Sequence, residues 1–346
     1  MEKFKCSSCG TRVFFVNQSC LKCGGSLAFD PDALAMVTLQ PDARQPGVFR
    51  RIGNKQASDV RYCSNATHGV CNWLTSASDG NGLCVACDLN RVIPNLAEPG
   101  SLAKWGDFER AKKRLVYSLL RFGLPLGSTS AAGRLVFDFA RDITTGHLDG
   151  VITVDMAEAD AVERTRTRQQ LAEPYRSLLG HLRHESGHYY WSLLVDAAGR
   201  HGEFRALFGD ERASYQDAMS RHYNSGPPPD WSQRFVSAYA SMHPWEDWAE
   251  SWAHYLHMVD AVDTAEAEGM EPRASGLSFG AVWPFRRYDI YRDESFAAIV
   301  ERWIPLTVAL NSLNRSMGHE DFYPFVTPAP AYEKLALIHR LIRGAR

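Results

Sequence analysis

His184-Glu185-Ser186-Gly187-His188 is an H-E-x-x-H sequence inside a segment whose pattern predicts a helix. Residues four apart lie on one face of a helix, about 6 Å apart along its axis, so His184 and His188 can bind one zinc ion. Glu185 then lies close enough to take a proton from a water molecule that the zinc activates. Gly187 leaves room for another backbone to approach this helix. Two exposed helix histidines are the weaker interpretation, because chance gives this pattern in roughly one such chain in fifty.

The composition indicates a globular chain with a substantial core. Its 346 residues are 45% apolar, which is enough for two domains. The formal net charge of −2 gives no overall case for nucleic acid or an anionic membrane as partner. No run approaches the ~18 apolar residues of a membrane span, and no apolar signal core precedes Cys6. We therefore expect a soluble cytoplasmic protein without a membrane partner.

The eight cysteines all lie between Cys6 and Cys87, and three of the four pairs have C-x-x-C spacing. Without a signal peptide, thiolates bound to metal are favoured over disulfides. Four thiolates close a tetrahedral zinc site and leave no open position, so we predict two structural zinc sites. The first comprises Cys6, Cys9, Cys20 and Cys23, and the second comprises Cys63, Cys71, Cys84 and Cys87. The alternatives are a redox role for the first site and replacement of one cysteine by His68 in the second.

The pattern predicts an α+β chain: a small β-rich zinc-ribbon domain over 1–92, a linker over 93–104 and a mainly helical domain with a small sheet over 105–346. Asp107 is the expected cap of the first long helix. The alternating segments Leu135–Phe139 and Val151–Asp155 are expected to be neighbouring strands.

The H-E-x-x-H helix is expected to have Pro174 in its first turn and to end near Val195. Its two histidines leave the site incomplete, because a catalytic zinc needs a third ligand and an open position. No histidine follows within residues 189–200, and His201 lacks the glycine placement of the extended signature. His181, one turn before the motif, is interpreted as a packed or solvated histidine rather than as a further ligand.

A distant acid is the better candidate for the third ligand. The segment His243–His257 has Pro at a first helical position and a tryptophan stripe along one side. Glu246 and Glu250 lie on the other side. Asp247 is a further candidate, although an acid in a first turn is also favoured by the helix dipole alone.

The two motifs together resemble the gluzincins, in which the third ligand begins a Glu-x-x-Ala-Glu helix, as in anthrax lethal factor. Over nearly its whole length the chain resembles the bacterial zinc-binding metallopeptidases that carry an amino-terminal zinc ribbon. The matching segments are the two knuckles at 6–9 and 20–23, Arg183–Tyr189, Pro244–Tyr255, Asn314–Gly318 and Tyr323–Phe325.

The resemblance implies a zincin-like metallopeptidase domain over 105–346 with one catalytic zinc besides the two structural ones. It implies that Glu246 is the third ligand and that Glu250 accepts the free N–H of a ligand histidine. Tyr239, seven residues before Glu246, matches the position of a catalytic tyrosine that would stabilise an oxyanion. The alternative oxyanion donors are His243, His319 and Tyr323.

The leading hypothesis is a zinc endopeptidase that acts on peptide or protein substrates. Zinc lowers the pKa of a coordinated water toward ~7, and Glu185 takes the proton and returns it to the leaving amine. The strand Val151–Asp155, expected at a sheet edge, would pair with the extended substrate.

Two other functions remain open from the sequence. The ribbon could direct the protease to nucleic-acid-bound proteins, because Arg50, Arg51, Lys55 and Arg61 form a weak basic patch near Tyr62. Alternatively, the chain could be a non-catalytic adaptor stabilised by zinc. The glutamate of the motif argues against an adaptor, since a structural site has no use for a general base.

Overall fold

The structure, a computed structural model, describes residues 3–53, 58–127, 133–141, 143, 145–170, 177–273, 276–279, 289–292 and 295–345. Lys55 and Pro174, on which two predictions rested, lie outside these residues. A β-rich amino-terminal region precedes a mostly helical region, which confirms the α+β class. Within the described residues, none of the helices has both the length and the apolar content needed to cross a bilayer.

The described part of the amino-terminal region contains seven strands before residue 77. The first two form a hairpin around the first knuckle, and the other five form an antiparallel sheet in chain order. Their bounds are β1 Phe4–Lys5, β2 Arg12–Val13, β3 Ser26–Asp30, β4 Ala35–Pro41, β5 Phe49–Arg51, β6 Val60–Tyr62 and β7 Leu74–Ser76.

A second sheet has four strands in the order β10-β11-β9-β8. They are β8 Asn90–Val92, β9 Val136–Ala140, β10 Gly146–Leu148 and β11 Val151–Asp155. The predicted neighbours β9 and β11 are adjacent and parallel. The expectation that β11 is an edge strand is wrong, because a tight turn through Asp149 and Gly150, both with positive φ, folds β10 onto its outer side.

Eight helices and a hairpin complete the described fold. They are α1 Ser101–Phe122, α2 Ala161–Gln170, α3 Leu178–Trp191, α4 His201–Phe208, α5 Tyr215–Ser225, α6 Pro244–Ala267, α7 Phe296–Ser316 and α8 Ala329–Gly344, with β12 Met270–Arg273 and β13 Gly276–Phe279. Helix α1 begins after Gly100, whose left-handed backbone (φ 78°) marks the start. The prediction that Asp107 caps this helix is therefore wrong; Asp107 lies in its second turn and pairs with Arg110.

Helix α1 joins the two regions through a shared core. The ring of Tyr117 lies 5.6 Å from that of Phe15 and 5.8 Å from that of Phe29, both in the amino-terminal region. Trp73 is fully buried and packs edge-to-face on Phe15 and tilted on Phe29. The amino-terminal region therefore buries its aromatic face against α1 and not only within itself.

Helices α3 and α6 cross in close contact at Gly187. A Cβ at this position would lie 2.9 Å from Ala249 Cα and 3.2 Å from Trp252 Cβ, so only glycine allows the approach. The Trp248 indole N–H donates to the Gly187 carbonyl oxygen (2.8 Å), and that of Trp252 donates to Ser186 Oγ (3.1 Å). As expected for Gly187, a second backbone approaches here. This contact sets the distance between the two helices that carry the candidate site.

Candidate metal centre and active site

The structure brings His184 and His188 of α3 together with Glu246 of α6. Their ligand atoms all lie within 4.8 Å of one another. His184 Nε2 is 3.0 Å from Glu246 Oε2, and His188 Nε2 is 3.5 Å from Glu246 Oε1. Zinc bonds of 2.0–2.1 Å in tetrahedral geometry place ligand atoms about 3.3 Å apart. The donor set and its spacing therefore fit a zinc ion with three protein ligands.

The starts of helices α3 and α6 fix the positions of these side chains. Ser177 Oγ accepts the Gly180 N–H (3.0 Å) and caps α3, and the two histidines follow one turn apart in the middle of this helix. At α6, Pro244 occupies the first turn and His243 Nδ1 accepts the Trp245 N–H (3.2 Å). Glu246 is thereby held in the first turn, where it faces α3.

Glu250 contacts Nδ1 of His184, the ring nitrogen that does not face the other two candidate ligands. Its Oε1 lies 2.8 Å from His184 Nδ1, and its Oε2 accepts the Ser237 hydroxyl at 2.6 Å. When Nδ1 donates to a carboxylate, the lone pair of Nε2 is free to face a metal. The sequence offered no signal for Ser237.

Asp247 is not part of the cluster. It is almost fully buried and forms a 2.6 Å ion pair with Lys334 of α8. Burial raises the pKa of Asp247 to about 7. This acid therefore joins α6 to the last helix, and it is neither a ligand nor a solvated first-turn residue.

Two tyrosines lie beside the cluster. The ring of Tyr239 is 6.0 Å from that of His184, and the Tyr215 hydroxyl donates to Glu246 Oε1 at 3.0 Å. Burial, and then the negative charge of Glu246, raise the pKa of both phenols, so both stay protonated hydrogen-bond donors. Sequence reasoning missed Tyr215, because its position 31 residues before Glu246 follows no motif spacing.

Two of the alternative oxyanion donors, His243 and Tyr323, have other hydrogen-bond partners. His243 uses Nδ1 in the cap of α6, and its Nε2 lies 3.1 Å from the Ala213 carbonyl oxygen. The Tyr323 hydroxyl lies 2.6 Å from His254 Nδ1. His319 is exposed, and no contact among the described residues joins it to the cluster.

Glu185 is largely buried, with 8% of its side chain exposed, and its Oε1 lies 3.2 Å from His181 Nε2. Burial alone would raise the pKa of Glu185, but the neighbouring imidazoles, His181 first, lower it to about 2. His181 lies outside the three-residue ligand group, which agrees with its interpretation as a packed histidine rather than a ligand, and it also pairs with two carboxylates. The four-residue spacing of His181 and Glu185 was the signal that could have indicated the contact.

The cysteines form two clusters of four, and all eight thiols are free. Facing Sγ atoms are 3.7 Å apart in Cys6–Cys23, 3.6 Å in Cys9–Cys20 and 3.7 Å in Cys71–Cys84. Zinc–sulfur bonds of about 2.3 Å give tetrahedral edges of about 3.8 Å, whereas a disulfide has sulfurs about 2.05 Å apart. The spacing fits two zinc sites. The alternative with His68 is wrong, since the second cluster is complete with four thiols.

The second cluster rests on helix α1. Glu109 Oε2 lies 3.7 Å from Cys87 Sγ and accepts from Lys113 Nζ at 2.6 Å. Lys113 also donates to the Val70 carbonyl oxygen (3.0 Å), next to Cys71. A buried ammonium beside four thiolates offsets part of their negative charge.

A cavity of about 630 Å³ lies on the Tyr215 side of the candidate metal centre, and none of the three candidate ligands lines it. Trp191, Tyr215 and Trp245 form its aromatic wall. Tyr215 connects it to the cluster through Glu246. The cavity thus lies beside the carboxylate that completes the three-residue set.

Two arginines of the predicted basic patch, Arg50 and Arg51, are paired with acids. Arg50 pairs with Asp42 (2.9 Å) and Asp59 (3.3 Å). Only 8% of the Arg51 side chain is exposed, and it pairs with Asp30 at 2.5 Å. Binding of nucleic acid stays a prediction.

Comparisons with known proteins define the class. Residues 101–341 match the family described as "Putative zinc-binding metallo-peptidase", and residues 3–98 match a zinc-ribbon domain. The chain belongs to this metallopeptidase family. Uncharacterized proteins of Mycobacterium bovis and Mycobacterium tuberculosis are 40% identical to it over 349 residues, which cover 99% of this chain and 95% of each relative. No solved structure matches the chain.

Proposed function

We propose that this chain is a zinc-dependent peptidase of the gluzincin type that hydrolyses peptide bonds with Glu185 as general base. The observation that carries the proposal is the convergence of His184, His188 and Glu246 within 4.8 Å, beside a buried carboxylate on the same helix. A structural site has no use for that carboxylate, which argues against an adaptor.

The protein's own residues have distinct tasks in this proposal. When bound, zinc supplies a Lewis acid that polarises a carbonyl group and acidifies a water molecule. Glu185 is ionised and accepts the proton of the attacking water, which it then passes to the leaving amine. Tyr239 donates a hydrogen bond to the oxygen that gains negative charge. Glu250 orients the ring of His184.

The surroundings favour an extended peptide as substrate. Strand β10 lies at the outer side of the four described strands, and the ring of His147 in this strand lies 6.2 Å from that of His188. Leu148, 73% exposed, points away from the core. We propose that the substrate backbone pairs with β10, and that one of its side chains enters the cavity bounded by Tyr215 and Trp245.

Zinc analysis together with a peptidase assay tests the proposal. The wild type should hold about three zinc ions per chain, and the double variant His184→Ala/His188→Ala about two, with the fold retained by circular dichroism. Equal zinc in the two proteins would rule out zinc at the H-E-x-x-H motif.

The variant Glu185→Gln tests the proton transfer without removing a zinc ligand. It should keep all zinc and hydrolyse a quenched fluorescent peptide library at least ~10²–10⁴-fold more slowly, because an amide cannot accept the proton. Full activity of Glu185→Gln would refute the mechanism. Normal zinc with an inactive wild type on every library would favour the adaptor.

A further inference from the structure

His181 is held between two carboxylates. Its Nε2 lies 3.2 Å from Glu185 Oε1, and its Nδ1 lies 2.5 Å from Glu158 Oε2. An ionised carboxylate only accepts hydrogen bonds, and a neutral imidazole has only one N–H. Both contacts can be hydrogen bonds only if both ring nitrogens of His181 carry protons.

Glu158 is fixed from outside helix α3. It lies in a turn that follows β11, and its Oε1 accepts the Thr145 hydroxyl at 2.5 Å. Thr145 Oγ1 in turn accepts the Asp155 N–H at 3.0 Å. The carbonyl oxygen of Glu158 accepts from Arg164 at 2.7 Å. The Glu158 carboxylate is therefore held by residues next to β10 and β11 rather than by helix α3.

We propose that His181 is a positioning residue for Glu185, held as a doubly protonated imidazole by Glu158. The inference rests on the proposed function, since it assigns Glu185 the role of general base. With Oε1 occupied by His181, the other oxygen is the one that accepts the proton from water. The chain of contacts from Thr145 to Glu185 links the base to the strand proposed to bind substrate.

The electrostatics agree with this geometry. The charged groups that face His181 are Glu158 from the turn and Glu185 from its own helix. Burial alone would lower the pKa of His181, but the two carboxylates raise it to about 9.

The test compares His181→Gln and Glu158→Gln with the control Glu163→Gln, the same change on an exposed acid of the neighbouring helix. We expect both test variants to keep full zinc and to lose about 10–100-fold in kcat with KM little changed, because the base is misplaced but substrate contacts remain. The control should match the wild type. A wild-type kcat in both test variants, or a parallel loss of zinc and activity, would overturn the inference.

A second readout does not depend on activity. In zinc-loaded protein with 15N-labelled histidine, NMR should show both His181 nitrogens protonated at neutral pH, and Glu158→Gln should remove one of these protons. A singly protonated His181 in the wild type would overturn the inference even if the peptidase is active. Failure of the proposed function looks different: the wild type itself would be inactive on all peptides.

Discussion

The variant Gly187→Ala tests whether contact between α3 and α6 sets the metal centre. An alanine in a helix gains about 1 kcal/mol over glycine. The new Cβ, however, would lie 2.9 Å from Ala249 Cα and 3.2 Å from Trp252 Cβ, and neither is the flexible end of a side chain. Overpacking of this kind costs about 1–3 kcal/mol. The net effect should be a loss of roughly 0–2 kcal/mol in the free energy of unfolding.

The same change should also weaken zinc binding. Pushing the helices apart moves His184 and His188 away from Glu246. The carboxylate oxygens of Glu246 lie 3.0 Å from Nε2 of His184 and 3.5 Å from Nε2 of His188 in the wild type. Urea unfolding and competition with a zinc chelator measure the two effects. The control is Gly202→Ala, in a helix where an added Cβ meets nothing within 4 Å, and it should be neutral or stabilising. If Gly187→Ala is as stable as this control and binds zinc like the wild type, the reasoning is refuted.

Four further predictions concern the site and the ribbon. Glu250→Gln should lower zinc affinity about 10–100-fold, measured by chelator competition, because the ring of its histidine partner loses its orientation. Tyr239→Phe should lower kcat about 10²-fold with zinc retained. Tyr215→Phe should mainly weaken zinc binding, because its hydroxyl hydrogen-bonds Glu246. If Tyr239→Phe instead lost zinc and Tyr215→Phe instead lost kcat, Tyr215 would be the oxyanion donor and Tyr239 the residue that supports the metal ligand. Cys84→Ser should lose about one zinc and lower the unfolding temperature of the whole chain, seen as one shifted calorimetric transition. The pKa of His181 is raised from 6.5 to about 9, so the stability that its charged form contributes should be complete below pH 6.5 and lost as pH rises through about 9. The free energies of unfolding of the wild type and His181→Gln, measured with urea, should therefore converge at high pH.

Spacing within a helix was the part of the site that sequence could predict. His184 and His188 had to share a face, and Glu246 and Glu250 had to share another, whatever the tertiary structure. The tryptophan stripe of α6 indicated which side faces the core, so the acids on the other side were candidates.

Contacts between distant segments could not be predicted in this way. Tyr215 reaches Glu246 only because the first residue of α5 lies near the start of α6, and Glu158 reaches His181 only because the turn after β11 lies beside α3. The prediction that β11 is an edge strand was wrong because the sequence does not reveal its neighbour β10, which is only three residues long and lacks a visible alternating pattern. The helix start at Ser101 was missed because Gly100 acts through its backbone conformation rather than through a capping side chain.

The position of α1 under both halves of the protein affects how the chain can be divided. Phe15 and Phe29 pack on Tyr117, and Lys113 holds the loop at Val70. A protease cut between β8 and α1 would therefore leave two fragments that stay associated, because separation would expose those rings to water. The zinc ribbon is, on this view, half of an interface rather than a transferable module, and transplanting it to another protein would require α1 as well.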